Sequence, residues 1–350
     1  MTSSKIKVQN VYPLTPMQEG MLFHALLEPD SAAYFEQLSW SVRGELDVAA
    51  FQASWNTLIE RYTVLRTMFV HEGTDRPVQV VLESRPISVL ELDLRGPGCD
   101  ERAEAYRLAD RDRPYVLERD PLLRVMVLRV AADRFEIVWS HHHIILDGWS
   151  IGLLIAELLE IYIARRANVV PKASTTPSFA TFVKWLQAQD RDDALDYWAL
   201  RIQDCEEPTG INHTRRTDAV LGSSRETIHF ELGIATTEGL KALASGREST
   251  LAMILQAIWA LLLSRYTDRG DVVFGSVVSG RPPEIPGVEG IVGNFINTIP
   301  VRVRLDEGGT FNELLARMQL DAADANAFEH VALSEILAQT RLGDALFGTL

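Results

Sequence analysis

Residues 140–150, SHHHIILDGWS, are the stretch from which the fold of this chain can be worked out. Before them, Arg134 to Trp139 alternates large apolar side chains with others, which predicts a strand. After them, Trp149 to Ala167 places apolar side chains at helical spacing. Asp147 and Gly148 therefore lie at a strand-to-helix turn, where Gly relieves backbone strain and Asp can cap the helix. Three histidines at a strand end, followed by one carboxylate, indicate a place for proton chemistry.

The three histidines do not all face the same way. The two-residue period of a strand puts His141 and His143 on one face and His142 on the other. Three adjacent histidines are also a candidate metal site, but neither flank supplies Cys or Glu at ligand spacing. We therefore predict no metal here. A single His-Asp pair in a turn is often purely structural, so the pair alone does not establish catalysis.

The bulk composition narrows the class of protein. A chain of 350 residues suits two lobes, and a net charge of -14 argues against nucleic acid and anionic membrane as partners. An acidic partner protein would have to dock on a local basic patch. Cys99 and Cys205 are the only cysteines, which fits a reducing cytoplasm and excludes a disulfide framework. The N-terminus lacks a signal-peptide pattern, and the most apolar run, 251–263, is shorter than the ~20 residues that span a bilayer. We expect a soluble cytoplasmic protein.

The apolar periodicity and the turn-forming residues predict the organisation of the chain. Residues 122–130 and 135–143 are separated by four turn-forming residues, which predicts a β-hairpin. Residues 168–177 contain two prolines and a Ser/Thr cluster, which predicts a linker. The predicted division is therefore an N-terminal lobe, 1–172, that carries the histidines, and a C-terminal lobe, 173–350.

The second lobe has its own predicted elements. Thr227 to Leu232 reads as a strand, and Thr250 to Tyr266 is apolar all round, which predicts a buried helix. Asp271 to Ser279 predicts a strand covered on both faces. A further strand is predicted to open at Val292 and to end near Leu305.

The histidine stretch resembles the HHxxxDG signature of the condensation domains of nonribosomal peptide synthetases. His142, His143, Asp147 and Gly148 match it, although acyltransferases with an HxxxD core share part of the pattern. Four further strings resemble other motifs of the same family, in the family's order: Tyr12 to His24, Arg61 to Phe69, Phe179 to Leu186, and Val292 to Thr298. The resemblance covers nearly the whole chain.

The resemblance implies a fold. It implies an α/β protein, an α+β sandwich, of two chloramphenicol-acetyltransferase-like lobes in a V-shaped arrangement. The histidine motif, with Trp149, Ser150 and Asn297, would face a tunnel between the lobes. The second lobe would be truncated, since the chain stops at 346–350, where the family's last motif begins. We therefore expect the chain to be poorly stable or inactive alone. A start Met and a short polar segment predict a place at the start of a synthetase subunit.

The resemblance also implies a function. It implies an amide-bond-forming acyltransferase that joins a carrier-bound donor (poly)peptidyl thioester to the amine of a carrier-bound aminoacyl acceptor. His143 would be catalytic, as general base or as positioner, with His142, Asp147 and Gly148 beside it. No cofactor would bind directly. The partners would be donor and acceptor peptidyl carrier proteins, which bear 4′-phosphopantetheine, and the adenylation domain of the same synthetase. The string MQEGMLFH, 17–24, resembles the subgroup whose donor ends in a D-residue.

Arg66 is a candidate support of the site. Period two places Arg66 on a face with Val64 and Met68, and a buried arginine needs a carboxylate partner. In the motif that this string resembles, the arginine pairs with the Asp of HHxxxDG. Carried over, the resemblance predicts an ion pair between Arg66 and Asp147, although Tyr62 stands where the family usually has His.

Three other functions are alternatives to condensation. An epimerisation domain shares HHxxxDG, but the string 17–24 argues against it. A heterocyclisation domain would carry Asp in place of the paired histidines, so His142 and His143 exclude it. A non-catalytic docking platform for carrier proteins is opposed by the intact His143 and Asp147, and favoured by the shortened C-terminus.

Overall fold

A computed structural model describes residues 7–28, 33–173, 176–205, 209–210, 228–341 and 343. The chain divides into two compact units. The first consists of Met1–Gln189 and Ser279–Ile296, and the second of Asp190–Val278 and Asn297–Leu350. The first unit therefore runs past residue 172, where the sequence predicted a division, and it includes a segment from much later in the chain.

The first unit is a mixed α/β structure. Its described strands are β1 (Val8–Pro13), β2 (Phe35–Arg43), β3 (Thr67–Val70), β4 (Val78–Leu82), β5 (Leu90–Asp93), β6 (Leu123–Arg129) and β7 (Arg134–His142). Its described helices are α1 (Pro16–Leu27), α2 (Val48–Arg61), α3 (Cys99–Arg111), α4 (Gly148–Arg166) and α5 (Phe179–Gln187). Short 3₁₀ turns, Thr63–Arg66 and His143–Ile145, precede β3 and α4. The strands form two sheets, in the orders β1-β4-β3 and β2-β7-β6-β5.

Strand β7, which ends at the histidines, is an interior strand of its sheet. It pairs antiparallel with β2, from Phe35 opposite His142 to Arg43 opposite Arg134. On its other edge it pairs antiparallel with β6, and Val130 and Ala131 close the turn with hydrogen bonds to Arg134 O. The predicted hairpin is confirmed. Because both edges of β7 are paired, the backbone that leads to the histidines is held on both sides.

The core of the first unit packs α2 and α4 against this sheet. The large apolar residues at helical spacing on α2 are all buried: Phe51, Trp55, Leu58 and Ile59. Trp55 meets Trp139 of β7 edge-on, with ring centroids 5.0 Å apart. Burying a large apolar side chain stabilises the fold by about 1.5–3 kcal/mol. The sheet face that carries Trp139 and His141 is therefore a packing face.

Helix α1 begins with a side-chain cap. Thr15 is the N-cap and Pro16 the first helical residue. Gln18 completes a capping box, because Thr15 Oγ accepts from Gln18 N and Thr15 N donates to Gln18 Oε1. The cap fixes the start of the helix against β4, since Gln18 Nε2 also donates to Gln79 Oε1 at 3.2 Å.

The returning segment, 279–296, belongs to the first unit because it packs on α5. Phe179 and Phe182 of α5 contact Phe295, with ring centroids 5.2 and 4.4 Å apart. Gly280 starts the segment at φ +59°, and a Cβ there would lie 1.8 Å from Phe295 O, so only glycine fits. These contacts explain why the unit extends to residue 189: the polar stretch at 168–177 is followed by a helix with an apolar face that the first unit buries.

The second unit is described by itself. Its described strands, β8 (Asp271–Val278) and β9 (Asn297–Arg304), pair antiparallel. Its described helices are α6 (Arg191–Ile202), α7 (Ile234–Ser245), α8 (Leu251–Thr267), α9 (Phe311–Ala325) and α10 (Leu333–Ala338). Buried side chains of α8 and α9 form a core with Val272, Phe274 and Val303 of the strands.

Three predictions for this part of the chain are wrong. Residues 228–232, within the described chain, form no strand, and the side chains of Ile228 and Phe230 are exposed. Alternation there was not sufficient, because a strand forms only where an edge is available to pair with it. Helix α8 is not buried all round, since Leu255 and Leu262 are exposed while its other face packs on the strands. The later strand opens at Asn297 rather than at Val292.

Candidate active site

The three consecutive histidines have three different environments. His141 and His142 are the last two residues of β7, and His143 is the first residue of the 3₁₀ turn that follows. His141 and His142 are buried, whereas His143 is partly exposed. The end of the strand therefore separates one accessible imidazole from two buried ones.

His141 belongs to the core. Its ring packs against Trp139 with centroids 5.1 Å apart, and neither ring nitrogen has a hydrogen-bond partner among the residues that the structure describes. Burial, and then the neighbouring His143 and His142, lower the pKa of His141 to about 3. The ring is therefore neutral at physiological pH.

His142 lies on the opposite face, as predicted, between two tyrosines. Its ring lies 6.1 Å from that of Tyr34 and 6.2 Å from that of Tyr115. Its Nδ1 accepts a hydrogen bond from Ile144 N at 3.1 Å, which caps the 3₁₀ turn. Burial, followed by His143, lowers the pKa of His142 to about 4. The neutral ring with Nδ1 as acceptor carries its proton on Nε2.

His143 is held by its main chain. Its N–H donates to Tyr34 O at 2.8 Å, and its carbonyl accepts from Asn294 Nδ2 at 2.9 Å. Its Nδ1 is buried and has no hydrogen-bond partner within the described residues. A clamped backbone with a partly exposed imidazole suits a group that gives, takes or directs a proton.

Asp147 is the N-cap of α4 and is fully engaged. Its Oδ1 accepts from Ser150 N at 2.8 Å, and its Oδ2 accepts from Phe295 N at 3.2 Å. Arg281 Nη2 lies 3.0 Å from Oδ2 and completes a buried ion pair. The main-chain N–H of Asp147 donates to Gly293 O. The carboxylate therefore joins the histidine turn to the returning segment, and both of its oxygens are engaged in these bonds.

The side chain of Arg281 is 6% exposed, and both terminal nitrogens are hydrogen-bonded, whereas its buried Nε has no partner among the described residues. Besides Asp147, it donates from Nη1 to Val288 O and Ile291 O, both at 2.8 Å. Its guanidinium lies over the ring of Phe295, 4.0 Å from the centroid. Burial lowers the pKa of Arg281 and Asp147 opposes that shift. An arginine keeps its charge in such surroundings.

The predicted pair between Arg66 and Asp147 is wrong. Arg66 is buried as predicted, but it donates to Leu82 O, Ile59 O and Glu60 O and to Gln9 Oε1. Arg66 ends a 3₁₀ turn rather than lying in a strand. The turn points its guanidinium at the last carbonyls of α2, which have no partner within that helix and attract a cation.

The remaining predicted residues have distinct positions. Gly148 starts α4, and Trp149 is 58% exposed, with Nε1 donating to Glu289 O at 2.8 Å. Ser150 is buried; its Oγ donates to Gly293 O and accepts from Gly293 N. Asn297 lies in the second unit, where its Nδ2 donates to the carbonyls of Glu329 and Val331. Asn297 therefore has a local structural role in that unit.

The sequence reasoning missed several residues at the site. Arg281 lies in a Gly-Arg-Pro turn, and an arginine flanked by apolar segments was the one signal that it could be buried. Asn294 and Gln18 lie inside strings already singled out, but nothing in their spacing says which backbone carbonyl each one reaches. Tyr34 gives no signal in the sequence, because its backbone conformation is visible only in three dimensions.

The described ranges contain no group of three His, Cys, Asp or Glu side chains placed to hold a metal ion. No helix in them has the length and apolar character needed to cross a membrane.

The fold and the site together define a protein of the HHxxxDG class, with one accessible histidine after a strand and a buried aspartate at the start of the next helix. The model of the family described as "Condensation domain" matches residues 8–350. The chain belongs to the condensation domain family.

Similar sequences are subunits of peptide synthetases. The chain is 41% identical to surfactin synthase subunit 3 of Bacillus subtilis (strain 168), over 96% of this chain and 26% of that protein. It is 39% identical to tyrocidine synthase 2 of Brevibacillus parabrevis, over 99% of this chain and 10% of that protein. The chain thus spans about a quarter or less of the length of these relatives.

Solved structures show the same fold. The first condensation domain of the calcium-dependent antibiotic synthetase, in complex with a substrate analogue, superposes with a TM-score of 0.78 at 22% identity; the match covers 95% of this chain and 78% of that one. The X-domain from teicoplanin biosynthesis gives a TM-score of 0.79 at 24% identity, covering 93% and 73%. The predicted α/β, acetyltransferase-like fold class is confirmed.

Proposed function

We propose that this chain joins a carrier-bound donor thioester to the amine of a carrier-bound aminoacyl acceptor. Peptide bond formation between carrier-bound substrates is the general function of the condensation domain family, and membership supports the proposal. The observation within the chain that carries it is His143. Its main chain is held by Tyr34 and Asn294, while the residue is partly exposed and its buried Nδ1 has no hydrogen-bond partner among the described residues.

The reaction needs alignment more than it needs a strong base. The acceptor nitrogen attacks the thioester carbon, the C–N bond forms, the C–S bond breaks, and the donor arm leaves as a thiol. An α-amine has a pKa of about 7.7, so much of it is already neutral near pH 7. The remaining task is to align two tethered substrates and to move one proton from nitrogen to sulfur. The imidazole of His143 can accept that proton or orient the amine by a hydrogen bond.

The contacts of the other residues of the motif support a positioning role beside His143. His142 is neutral and caps the turn through Nδ1. Asp147 caps α4 and binds Arg281. Gly148 begins the helix. We therefore assign catalysis to His143 alone and a positioning role to its three neighbours.

The proposed partners follow from the relatives. These are synthetase subunits several times longer than this chain, so we propose donor and acceptor peptidyl carrier proteins and an adenylation domain in the same synthetase. The 4′-phosphopantetheine arms belong to the carriers and enter as part of the substrates. A net charge of -14 means that an acidic carrier has to find a local basic surface.

Turnover with two loaded carriers tests the proposal. The chain is mixed with a donor carrier bearing a peptidyl thioester and an acceptor carrier bearing an aminoacyl thioester, and the peptidyl product on the acceptor, one residue longer than the donor peptide, is measured by mass spectrometry. His143→Ala is the test variant, and His229→Ala, an exposed histidine of the second unit, is the matched control. Product from the parent and the control but not from His143→Ala is the expected result. Inversion of a loaded residue without condensation would indicate epimerisation, and carrier binding without turnover would indicate a docking platform.

A further inference from the structure

Tyr34 has an unusual backbone. Its φ is +62°, a left-handed conformation that is costly for a bulky side chain. Elsewhere in the described chain, the non-glycine residues with positive φ are Asn168, Glu248 and Asp268. These three are polar and follow the C-terminal ends of helices, where the left-handed conformation is common. Tyr34 instead precedes β2, so its conformation has no such local reason.

The left-handed backbone of Tyr34 directs its carbonyl at the catalytic turn, the 3₁₀ turn that begins at His143. The register of β2 with β7 ends at Phe35 opposite His142. One residue further, where β7 has already given way to the 3₁₀ turn, Tyr34 O accepts the N–H of His143 at 2.8 Å. The strained residue thus accepts the hydrogen bond from the N–H of His143, whose carbonyl accepts from Asn294 Nδ2 and Leu146 N. Strain of this kind persists only where the surroundings enforce it.

The Tyr34 side chain is fixed by α1. Its hydroxyl lies 2.6 Å from His24 Nδ1, and the two rings are nearly parallel, 14° apart, with centroids separated by 5.9 Å. Burial raises the pKa of Tyr34, so the phenol keeps its proton at neutral pH and can donate it to Nδ1. The ring of Tyr34 also lies against the ring of His142. One residue therefore links α1 to the catalytic turn, through its ring to His142 and through its main-chain carbonyl to His143.

We propose that Tyr34, locked by His24, is a positioning residue that sets the place of His143 through its main-chain carbonyl and its contact with His142. This inference rests on the proposed function for its effect on the reaction. His24 is the last residue of the string MQEGMLFH. The inference gives His24 a structural role, holding Tyr34, that is independent of donor recognition.

The experiment compares Tyr34→Phe, Tyr34→Gly and His24→Ala in the full chain with loaded carriers. Tyr34→Phe and His24→Ala each break the same hydrogen bond, so each should lower kcat about 10-fold with KM unchanged, and the double variant should lose no more than either single variant. Tyr34→Gly accepts φ +62° without strain but removes the ring and its packing against His142, so the relief of strain offsets part of the lost packing. It should lower kcat about 100-fold, far more than the accompanying change in melting temperature explains. Tyr106→Phe, on α3 and away from the site, is the control and should match the parent.

A second measurement does not depend on turnover. The amide hydrogen of His143 should exchange with solvent faster in Tyr34→Phe, Tyr34→Gly and His24→Ala than in the parent, by about 10-fold, because loosening Tyr34 weakens the bond that protects it. Parental exchange at His143, or a kcat loss that only follows a lower melting temperature, overturns this inference. If the parent makes no product, or His143→Ala keeps its rate, the proposed function fails. The exchange data then still decide whether Tyr34 holds His143.

Discussion

Arg281 and Asp147 form a buried ion pair across 134 residues of sequence, with Arg281 Nη2 3.0 Å from Asp147 Oδ2. Their side chains are 6% and 1% exposed. The pair joins the returning segment, 279–296, to the N-cap of α4, directly after the turn that carries His143. The histidine turn is therefore held in place by a part of the chain that comes after β8.

Removing either charge should destabilise the protein. Arg281→Ala and Asp147→Ala should each lower the free energy of unfolding by about 3–5 kcal/mol, because the remaining charge is left buried and unpaired. Urea denaturation of both variants measures this. The double variant should lose much less than the sum of the two, whereas Arg66→Ala combined with Asp147→Ala should be additive. Additivity for Arg281 with Asp147 would contradict the pairing.

The adjacent residues His142 and His143 should respond differently to substitution by alanine. His143→Ala should lower the rate of condensation by roughly two to four orders of magnitude, the usual span for a positioned acid–base group, with an unchanged melting temperature. His142→Ala should lower the melting temperature, because it removes the packing against Tyr34 and Tyr115 and the cap on Ile144 N. Single-turnover kinetics and thermal melts of both variants check this. A His143→Ala variant near the parental rate would refute its assignment.

Buried neutral histidines should make the fold acid-sensitive. An unfolded histidine has a pKa of about 6.5, whereas burial lowers that of His141 to about 3 and that of His142 to about 4. Between about pH 4 and 6.5 the unfolded chain binds protons that the folded chain does not, so the free energy of unfolding falls as the pH falls. His141→Phe should reduce this slope, while His229→Asn, at an exposed site, should not. Urea midpoints from about pH 5 to about pH 7 measure the slope; equal slopes in the parent and His141→Phe would rule the explanation out.

The donor should end in a D-configured residue. This expectation comes from the resemblance of the string 17–24, and of Leu146 to Trp149, to the subgroup that accepts such donors. Matched donor thioesters that differ only in the configuration of the last residue should give faster condensation with the D-form. Equal rates, or a preference for the L-form, would reject the subgroup.

Gln18 should matter for stability although it touches no substrate. It is fully buried, and its Nε2 donates to Ile144 O at 3.0 Å and to Gln79 Oε1. Gln18→Leu leaves these acceptors without their donor, which should cost about 1–3 kcal/mol of unfolding free energy. Gln203→Leu, at an exposed position, should change it by less than about 0.5 kcal/mol. Equal urea midpoints for the two variants would show that the buried amide is dispensable.

Local pattern was sufficient for much of the first unit. The hairpin of β6 and β7, the cap at Thr15 and the buried face of α2 depend on neighbouring residues and on the period of the element, so they could be predicted. Residues 228–232 show where local pattern fails, because alternation predicts a strand whether or not a neighbouring strand pairs with it. The boundary at residue 189 is another such place, since it depends on packing between α5 and Phe295.

By itself, the sequence determined the strand-turn-helix that carries the histidines and the opposite faces of His141 and His142, since these follow from residue order and short periods. The family followed from the resemblance of its motifs to those of condensation domains. The tertiary structure alone decided which arginine meets Asp147. Arg66 ends a 3₁₀ turn and serves the carbonyls of α2, while Arg281 reaches the aspartate on a segment that returns from elsewhere in the chain. The physical reason is that the choice of an ion-pair partner depends on where distant backbone segments pack, which no local pattern encodes.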